Sequence, residues 1–131
     1  MKKKIQGFAV LLIAALLFSA CSNRLIGLWQ VENYEIISNR SESVKATNIG
    51  TVNFLKDGTG HKELSFSILG LNQQDRADFT WVLNENLLTI SGDSSAFVKT
   101  WIITESKKSY QKLQSTDGAQ QVQVMELKKL N

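Results

Sequence analysis

The chain has no proline, one cysteine and one histidine among its 131 residues, and each scarcity excludes a class of structure or chemistry. A single cysteine, Cys21, cannot form a disulfide within the chain, so the fold must be stabilised by packing. One histidine and one cysteine cannot supply a His-rich zinc site, a Cys–His catalytic pair or a redox Cys-x-x-Cys motif. Without proline, no β-ladder is interrupted by a residue that lacks an N–H donor.

The first twenty residues have the pattern of an export signal. Residues 2–4 are lysines, and residues 8–18 form an unbroken apolar run of eleven residues. That run is too short to span a bilayer as a helix, which takes about 20 residues. An ordinary signal-peptidase site has a small residue third from the cleavage point, whereas this chain has the bulky Phe18 there. We therefore predict that residues 1–20 are a signal peptide of another kind.

The residues Phe18-Ser19-Ala20-Cys21 resemble a bacterial lipobox, in which the cysteine becomes the lipid-bearing first residue after cleavage. The resemblance implies that Cys21 carries acyl chains such as palmitate and that residues 21–26 are a short tether. It also implies a lipid-anchored protein of the bacterial cell envelope, in the outer membrane. Phe18 departs from the pattern, since Leu is more usual there, and an ordinary secreted protein with an unpaired cysteine is the alternative.

The charge balance argues against nucleic acid as a partner. Loss of residues 1–20 removes three of the 15 basic residues and none of the 12 acidic ones, so the mature net charge is zero. The pI of about 9.1 therefore belongs to the precursor, and no basic stripe interleaved with aromatic residues follows it.

From residue 27 onward the hydrophobic pattern has a period of two, and no stretch has a convincing helical period. Turn chemistry is strong at Asp57-Gly58, Gly92-Asp93 and Asp117-Gly118. We predict one all-β domain over residues 27–131, an eight-stranded antiparallel up-and-down barrel. The predicted strands are 28–36, 50–55, 60–68, 77–83, 87–91, 97–104, 109–115 and 121–129. In the last strand the apolar residues shift from even-numbered to odd-numbered positions, which predicts a β-bulge near Val124.

The residues Gly27-Leu28-Trp29 resemble the Gly-x-Trp opening of lipocalins, and the chain over 25–127 resembles the short lipocalin-like domains of bacterial lipoproteins. The resemblance implies that Gly27 and Trp29 plug one end of the barrel. The chain departs from the family in three ways: Lys128 and Lys129 stand where an Arg is expected over the Trp, there is no Thr-Asp-Tyr motif, and no terminal helix follows. A core Trp at the start of another kind of β-domain is the alternative.

The predicted connections differ between the two ends of the barrel. Those after the odd-numbered strands (37–48, 69–76, 92–96 and 116–120) are longer than those after the even-numbered strands (56–59, 84–86 and 105–108). One end is therefore predicted to be closed by short turns and the other to be rich in loops, with Trp29 at the closed end. A tether of five residues reaches at most about 18 Å, which would hold the closed end near the bilayer.

Two functional hypotheses follow from this barrel. In the first, it binds a small apolar molecule: the predicted lining is Phe66, Phe79, Trp81, Phe97 and Trp101, and the predicted lid is Val44, Leu69 and Leu71. In the second, the same aromatic residues fill the interior, and the protein has a non-catalytic structural or interaction role in the envelope. Eight strands allow either arrangement. An internal apolar void of roughly 300 Å³ or more would favour ligand binding.

We expect no catalysis, metal or cofactor. His61 follows the turn at 57–60 and is expected to be a solvated residue beside it, and that turn does not precede a helix as a phosphate loop does. Asp75 and Asp78 could suggest a carboxylate pair, but Arg76 between them favours a salt-bridged loop. The sequence leaves the oligomeric state and the identity of any ligand open.

Overall fold

The computed structural model describes residues 24–38, 43–68, 70–116 and 121–131, apart from the side chains of Ile68 and Leu71. Cys21 and the export segment lie outside the described residues, so cleavage and lipidation stay predictions. Within the described ranges, no helix has the length and apolar character needed to cross a membrane.

Eight antiparallel strands form a closed barrel in sequence order, and β1 pairs with β8 to complete it. This confirms the predicted fold, the up-and-down architecture that lipocalins share. The strands are β1 (Gly27–Ser38), β2 (Ser43–Phe54), β3 (Thr59–Ile68), β4 (Leu71–Asn84), β5 (Leu87–Ser91), β6 (Thr100–Lys107), β7 (Tyr110–Ser115) and β8 (Gln121–Lys129).

The main errors of the sequence prediction are at strand ends. The predicted loops 37–48 and 69–76 are wrong, because β1, β2 and β4 extend through most of them. In the first hairpin Ile36 pairs with Val44, and in the second Ile68 pairs with Leu71. Backbone pairing continues there although the side chains no longer alternate cleanly between apolar and polar. At β6 the error is opposite: Phe97 precedes the strand, which begins at Thr100.

The two ends of the barrel are named here the base and the mouth. The chain enters β1 at the base, where the connections 55–58, 85–86 and 108–109 also lie. The mouth is the opposite end, at which β1, β3, β5 and β7 end and the loop 92–99 lies. Among the described residues at the mouth, 92–99 form the one long loop, since most of 37–48 and 69–76 belongs to strands.

The predicted bulge in β8 is wrong. Gln123, Met125 and Leu127 are all buried, so β8 keeps one parity throughout. The irregularity lies in the neighbouring strand, where the register of β1 shifts between Val31 and Asn33. The sequence pattern indicated a bulge because the inward position 123 is occupied by a glutamine, while valines stand on either side of it.

Close strand approach explains one glycine. Gly50 in β2 has φ of 139°, and a Cβ there would overlap the carbonyl oxygen of Glu63 in β3. Only glycine allows the two backbones to come this close.

Candidate functional site

Trp29 closes the base. Its side chain is fully buried, and its Nε1 donates a hydrogen bond to the carbonyl oxygen of Leu25 at 2.7 Å. The ammonium of Lys129 lies 5.4 Å from the centroid of the Trp29 ring, within the range of a cation–π contact. A lysine therefore occupies the position in which the lipocalin resemblance implies an arginine.

Aromatic rings fill the interior above this plug. Phe54 makes edge-to-face contacts with Phe79 and Trp81, each with ring centroids 5.5 Å apart. Phe79 in turn contacts Phe97 at 5.8 Å, and Phe97 contacts Trp101 at 6.3 Å. The first three of these contacts are edge-to-face, which is favourable beyond the burial of the rings, and the fourth is tilted. We call this set the aromatic column.

A cavity of about 410 Å³ lies at the mouth, above the column. Its walls come from β1 to β4, from β8 and from the loop 92–99. Two of the five predicted lining residues, Phe66 and Phe97, contribute to the wall; Phe79, Trp81 and Trp101 are not part of it and belong to the column. The wall is half polar, since Asp75 and Asp93 also line it.

A buried lysine organises the polar side of the cavity. Lys62 in β3 is fully buried, and its ammonium lies 2.7 Å from Asp75 Oδ1 and 2.9 Å from Asp93 Oδ1. It also donates to Ser95 Oγ at 2.5 Å and lies 5.7 Å from the centroid of the Phe97 ring. The ammonium thus makes two hydrogen bonds, to Asp93 and Ser95, and an ion pair with Asp75. Lys62 therefore joins β3, β4 and the mouth loop.

Sequence reasoning missed this lysine, although a signal was present. Side chains two residues apart on a strand share a face, so Lys62 lies on the same inward face as Leu64 and Phe66. Phe66 was assigned to the interior, and Lys62, four positions before it on the same face, was not. Asp75 was assigned to a loop with Arg76, but it lies on β4 and pairs with Lys62.

The loop 92–99 is the segment that covers the cavity. Phe97 is buried in the column, Asp93 and Ser95 bind Lys62, and the ammonium of Lys99 donates to Gln123 Oε1 at 3.1 Å. The hydrogen bond from Lys62, and then that from the Ser95 amide, hold the pKa of the Asp93 carboxyl below its ordinary value despite some desolvation. The loop is thus fixed from inside the barrel.

Of the three predicted lid residues, Val44 alone has a described side chain. Val44 lies on β2, opposite Ile36 in β1. Leu71 is the first residue of β4, and its side chain lies outside the described residues, as does Leu69 altogether. The lid role of these three residues therefore stays a prediction, and the described segment over the cavity is the loop 92–99.

A second polar group borders the cavity on the β1–β8 side. Tyr34, which lines the cavity, donates from its hydroxyl to Gln123 Oε1 at 3.0 Å. Gln123 is itself buried, and its backbone N–H donates to Ser115 Oγ at 2.9 Å. The cavity therefore has polar groups on two opposite sides and apolar rings between them.

His61 lies on the outer wall, beside a shallow groove of about 490 Å³ that crosses β3, β4 and β5. Its Nδ1 is 2.7 Å from Asp78 Oδ1, and its Nε2 is 3.3 Å from Glu63 Oε1. The hydrogen bond to Asp78 is the main cause that raises the pKa of His61, followed by the bond to Glu63. Both ring nitrogens are engaged by carboxylates, as expected of a solvated ion pair. The mouth cavity is less open than this groove, so it is the better candidate site.

No protein-family model matches the chain, and no curated protein does. Among solved structures, the chain is similar to the siderocalin Ex-FABP, a protein said to function through dual ligand specificities. The two share 11% sequence identity with a TM-score of 0.45, over 82% of this chain and 74% of that one. This similarity assigns no ligand, and the fold assignment rests on the strand order of the barrel itself.

Proposed function

We propose that the protein binds a small molecule in the mouth cavity. The observation that supports this most is the volume of about 410 Å³, which lies within the range of ordinary ligand sites, roughly 300 to 1,000 Å³. The barrel is filled only in its lower part, so the space at the mouth is not simply the result of an unpacked fold.

The sequence predicted an apolar ligand, and the residues of the cavity wall indicate that this ligand also has a polar group. Phe66 and Phe97 offer apolar contact, and Asp75 and Asp93 line the same cavity. Lys62 engages Oδ1 of each carboxylate, which leaves Oδ2 of each outside these bonds. We therefore propose a ligand with an apolar body and a group that donates hydrogen bonds, such as an amine or a hydroxyl.

Native mass spectrometry of the protein purified from a bacterial envelope tests the proposal, because a retained small molecule would appear as added mass. Gln73→Trp should abolish retention, since Gln73 lines the cavity. Asn72→Trp is the matched control: it changes the adjacent, exposed residue on the opposite face of β4 and should retain the molecule. Equal retention by both variants would place the ligand elsewhere.

A titration series then tests the ligand chemistry. Octylamine, octanol and octanoate share one chain and differ in the head group. We expect the amine to bind most tightly and the carboxylate most weakly, because the carboxylate meets two like charges. If octanol binds but octanoate binds better than octylamine, the cavity is a binding site and the proposed head group is wrong.

The aromatic column favours a second candidate, a non-catalytic envelope interaction protein whose barrel is filled by side chains. It would be supported if no molecule is retained and none of the three probes binds.

We further propose that the protein is anchored to the envelope membrane through lipid on Cys21. The lipobox resemblance and the apolar run before it support this, and several acyl chains would anchor the protein stably at about 0.8 kcal/mol per buried CH₂. The variant Cys21→Ala should remain unprocessed, and without lipid. Wild-type processing and membrane association of this variant would contradict the proposal.

A further inference from the structure

Charge is distributed unequally between the two ends of the barrel. For this count, the base consists of the connections 55–58, 85–86 and 108–109 and the terminal residues 24–26 and 130–131. The two strand residues that adjoin each of these segments are included. This region contains two acidic side chains, Asp57 and Glu85, and six basic ones. The basic residues are Arg24, Lys56, Lys107, Lys108, Lys128 and Lys129. At the mouth, the same definition gives one acidic and one basic residue within the described ranges, Asp93 and Lys99.

Several of the basic groups at the base have no partner that would neutralise them. Lys107 pairs with Glu105 at 3.0 Å, and Lys128 lies 3.9 Å from Glu32. Arg24, Lys56 and Lys108 form no ion pair with another described residue, and all three are exposed. The base therefore presents a positive surface to solvent.

Exposed leucines lie among these charges. Four large apolar residues are exposed among the described side chains, and three of them are at the base: Leu55, Leu87 and Leu130, exposed by 43%, 42% and 47%. The fourth, Val82, lies two residues before the end of β4 on the same half of the barrel. Basic side chains mixed with exposed leucines are complementary to a bilayer surface with anionic headgroups.

The position of the segment before β1 favours a membrane over other partners for this surface. Residues 1–23 join the barrel at the base through Arg24, and Cys21 is only three residues away in sequence. We infer that the base is a docking surface for an anionic phospholipid bilayer, which holds the barrel upright with its mouth toward the aqueous phase. This goes beyond anchoring through Cys21, since a tether alone leaves the barrel free to rotate.

Spin-label accessibility on the full-length protein, isolated from bacterial membranes and reconstituted in vesicles, tests the inference. One label is placed at the base on Asn86→Cys and one at the mouth on Asn72→Cys, both exposed positions. On vesicles containing phosphatidylglycerol, the base label should be protected from an aqueous quencher and the mouth label should not. Phosphatidylcholine vesicles, or 1 M salt, which shortens the Debye length to about 3 Å, should make the two labels equally accessible.

Charge variants in the same background identify the residues. Each lysine near an anionic surface contributes about a factor of five to binding, so Lys56→Glu with Lys108→Glu should lower the ratio of docked to undocked protein at least roughly 25-fold. Lys45→Glu, on the mouth half of β2, is the matched control and should leave the ratio of docked to undocked protein unchanged. Protection that is independent of lipid charge, or that occurs at the mouth, would overturn the inference.

Anchoring is measured separately. A thiol reagent labels the protein without introduced cysteines only if Cys21 carries no lipid. In that case co-sedimentation of the same chain with the two kinds of vesicle measures docking, with the same charge variants. Equal sedimentation with both lipids, or no effect of the variants at the base, would refute docking whatever the state of Cys21.

Discussion

Replacing Lys62 with methionine removes the charge at the centre of the cavity wall and keeps most of the side-chain volume. Methionine fills the space of the lysine stem, so the substitution opens no large void. It leaves the carboxylates of Asp75 and Asp93 without the ammonium that contacts both. The effect on stability therefore measures the charge network rather than packing.

The two ion pairs should contribute unequally. Asp75 has a side chain exposed by only 16%, opposite a lysine that is fully buried. Breaking a buried pair by removing one partner typically costs about 3 to 5 kcal/mol. Asp93 is exposed by 43%, and a bridge this exposed is worth at most about 1 kcal/mol. Because both carboxylates face a cavity that opens to solvent, we expect the low end of the range, about 3 kcal/mol for Lys62→Met.

Urea unfolding followed by tryptophan fluorescence measures this loss. If the unfolding free energy falls with urea concentration at the same slope in wild type and variant, their unfolded states are comparable. The double variant Lys62→Met with Asp75→Asn removes the stranded carboxylate, so it should be more stable than Lys62→Met alone. A loss under about 1 kcal/mol, or a double variant whose loss equals the sum of the two single losses, would refute the assignment of a coupled buried pair.

The pH dependence gives an independent check. The folded-state pKa of Asp93 lies below its ordinary value of 3.8 because Lys62 donates to it. A depressed carboxyl pKa stabilises the fold fully above the ordinary value, and that contribution is lost as the pH falls through the lower, folded-state value. The difference in stability between wild type and Lys62→Met should therefore narrow below pH 3.8. A constant difference would contradict the role of Asp93.

Four further substitutions test other parts of the structure. Trp29→Ala should cost about 3 to 5 kcal/mol, and an unchanged unfolding midpoint would place this ring outside the core. The NMR titration midpoint of His61 should lie above 6.5 and fall toward that value in Asp78→Asn. A raised histidine pKa stabilises the fold at a pH below the ordinary pKa of histidine. This stabilisation by His61 should disappear as the pH rises through its folded-state pKa. Gly60→Ala should cost at least about 2 kcal/mol because its Cβ would overlap an aromatic ring, whereas Gly92→Ala, where the nearest atom is 3.4 Å away, should change stability by less than about 1 kcal/mol.

The fold could be predicted from the sequence because side-chain alternation and turn residues are both local signals. β5 was predicted with its observed bounds, 87–91, since Leu88 and Ile90 lie on either side of the polar Thr89 and turns flank the strand. The first hairpin was predicted too short, because its outer part pairs through backbone hydrogen bonds that place few demands on side chains. Local alternation therefore finds strands more reliably than it finds their ends.

The site was predictable only in part, because it depends on contacts between distant segments. The aromatic residues were assigned to the interior from parity alone, but parity does not say whether a ring packs in the column or faces the cavity. The partners of Lys62 come from β4 and from residues 92–99, about 13 and 31 positions along the chain. No spacing rule within one strand can show that three such segments meet.

The pairing of β1 with β8 also sets the order in which the chain can fold. Asn33 in β1 donates to Glu126 in β8 across 93 positions, so the first strand has one unpaired edge until almost the whole chain is available. Contacts this distant in sequence form slowly, and an unpaired strand edge invites pairing with another chain. During synthesis β1 is made first and waits longest for its partner, so closure of the barrel is the step at which a nascent chain is most exposed to aggregation.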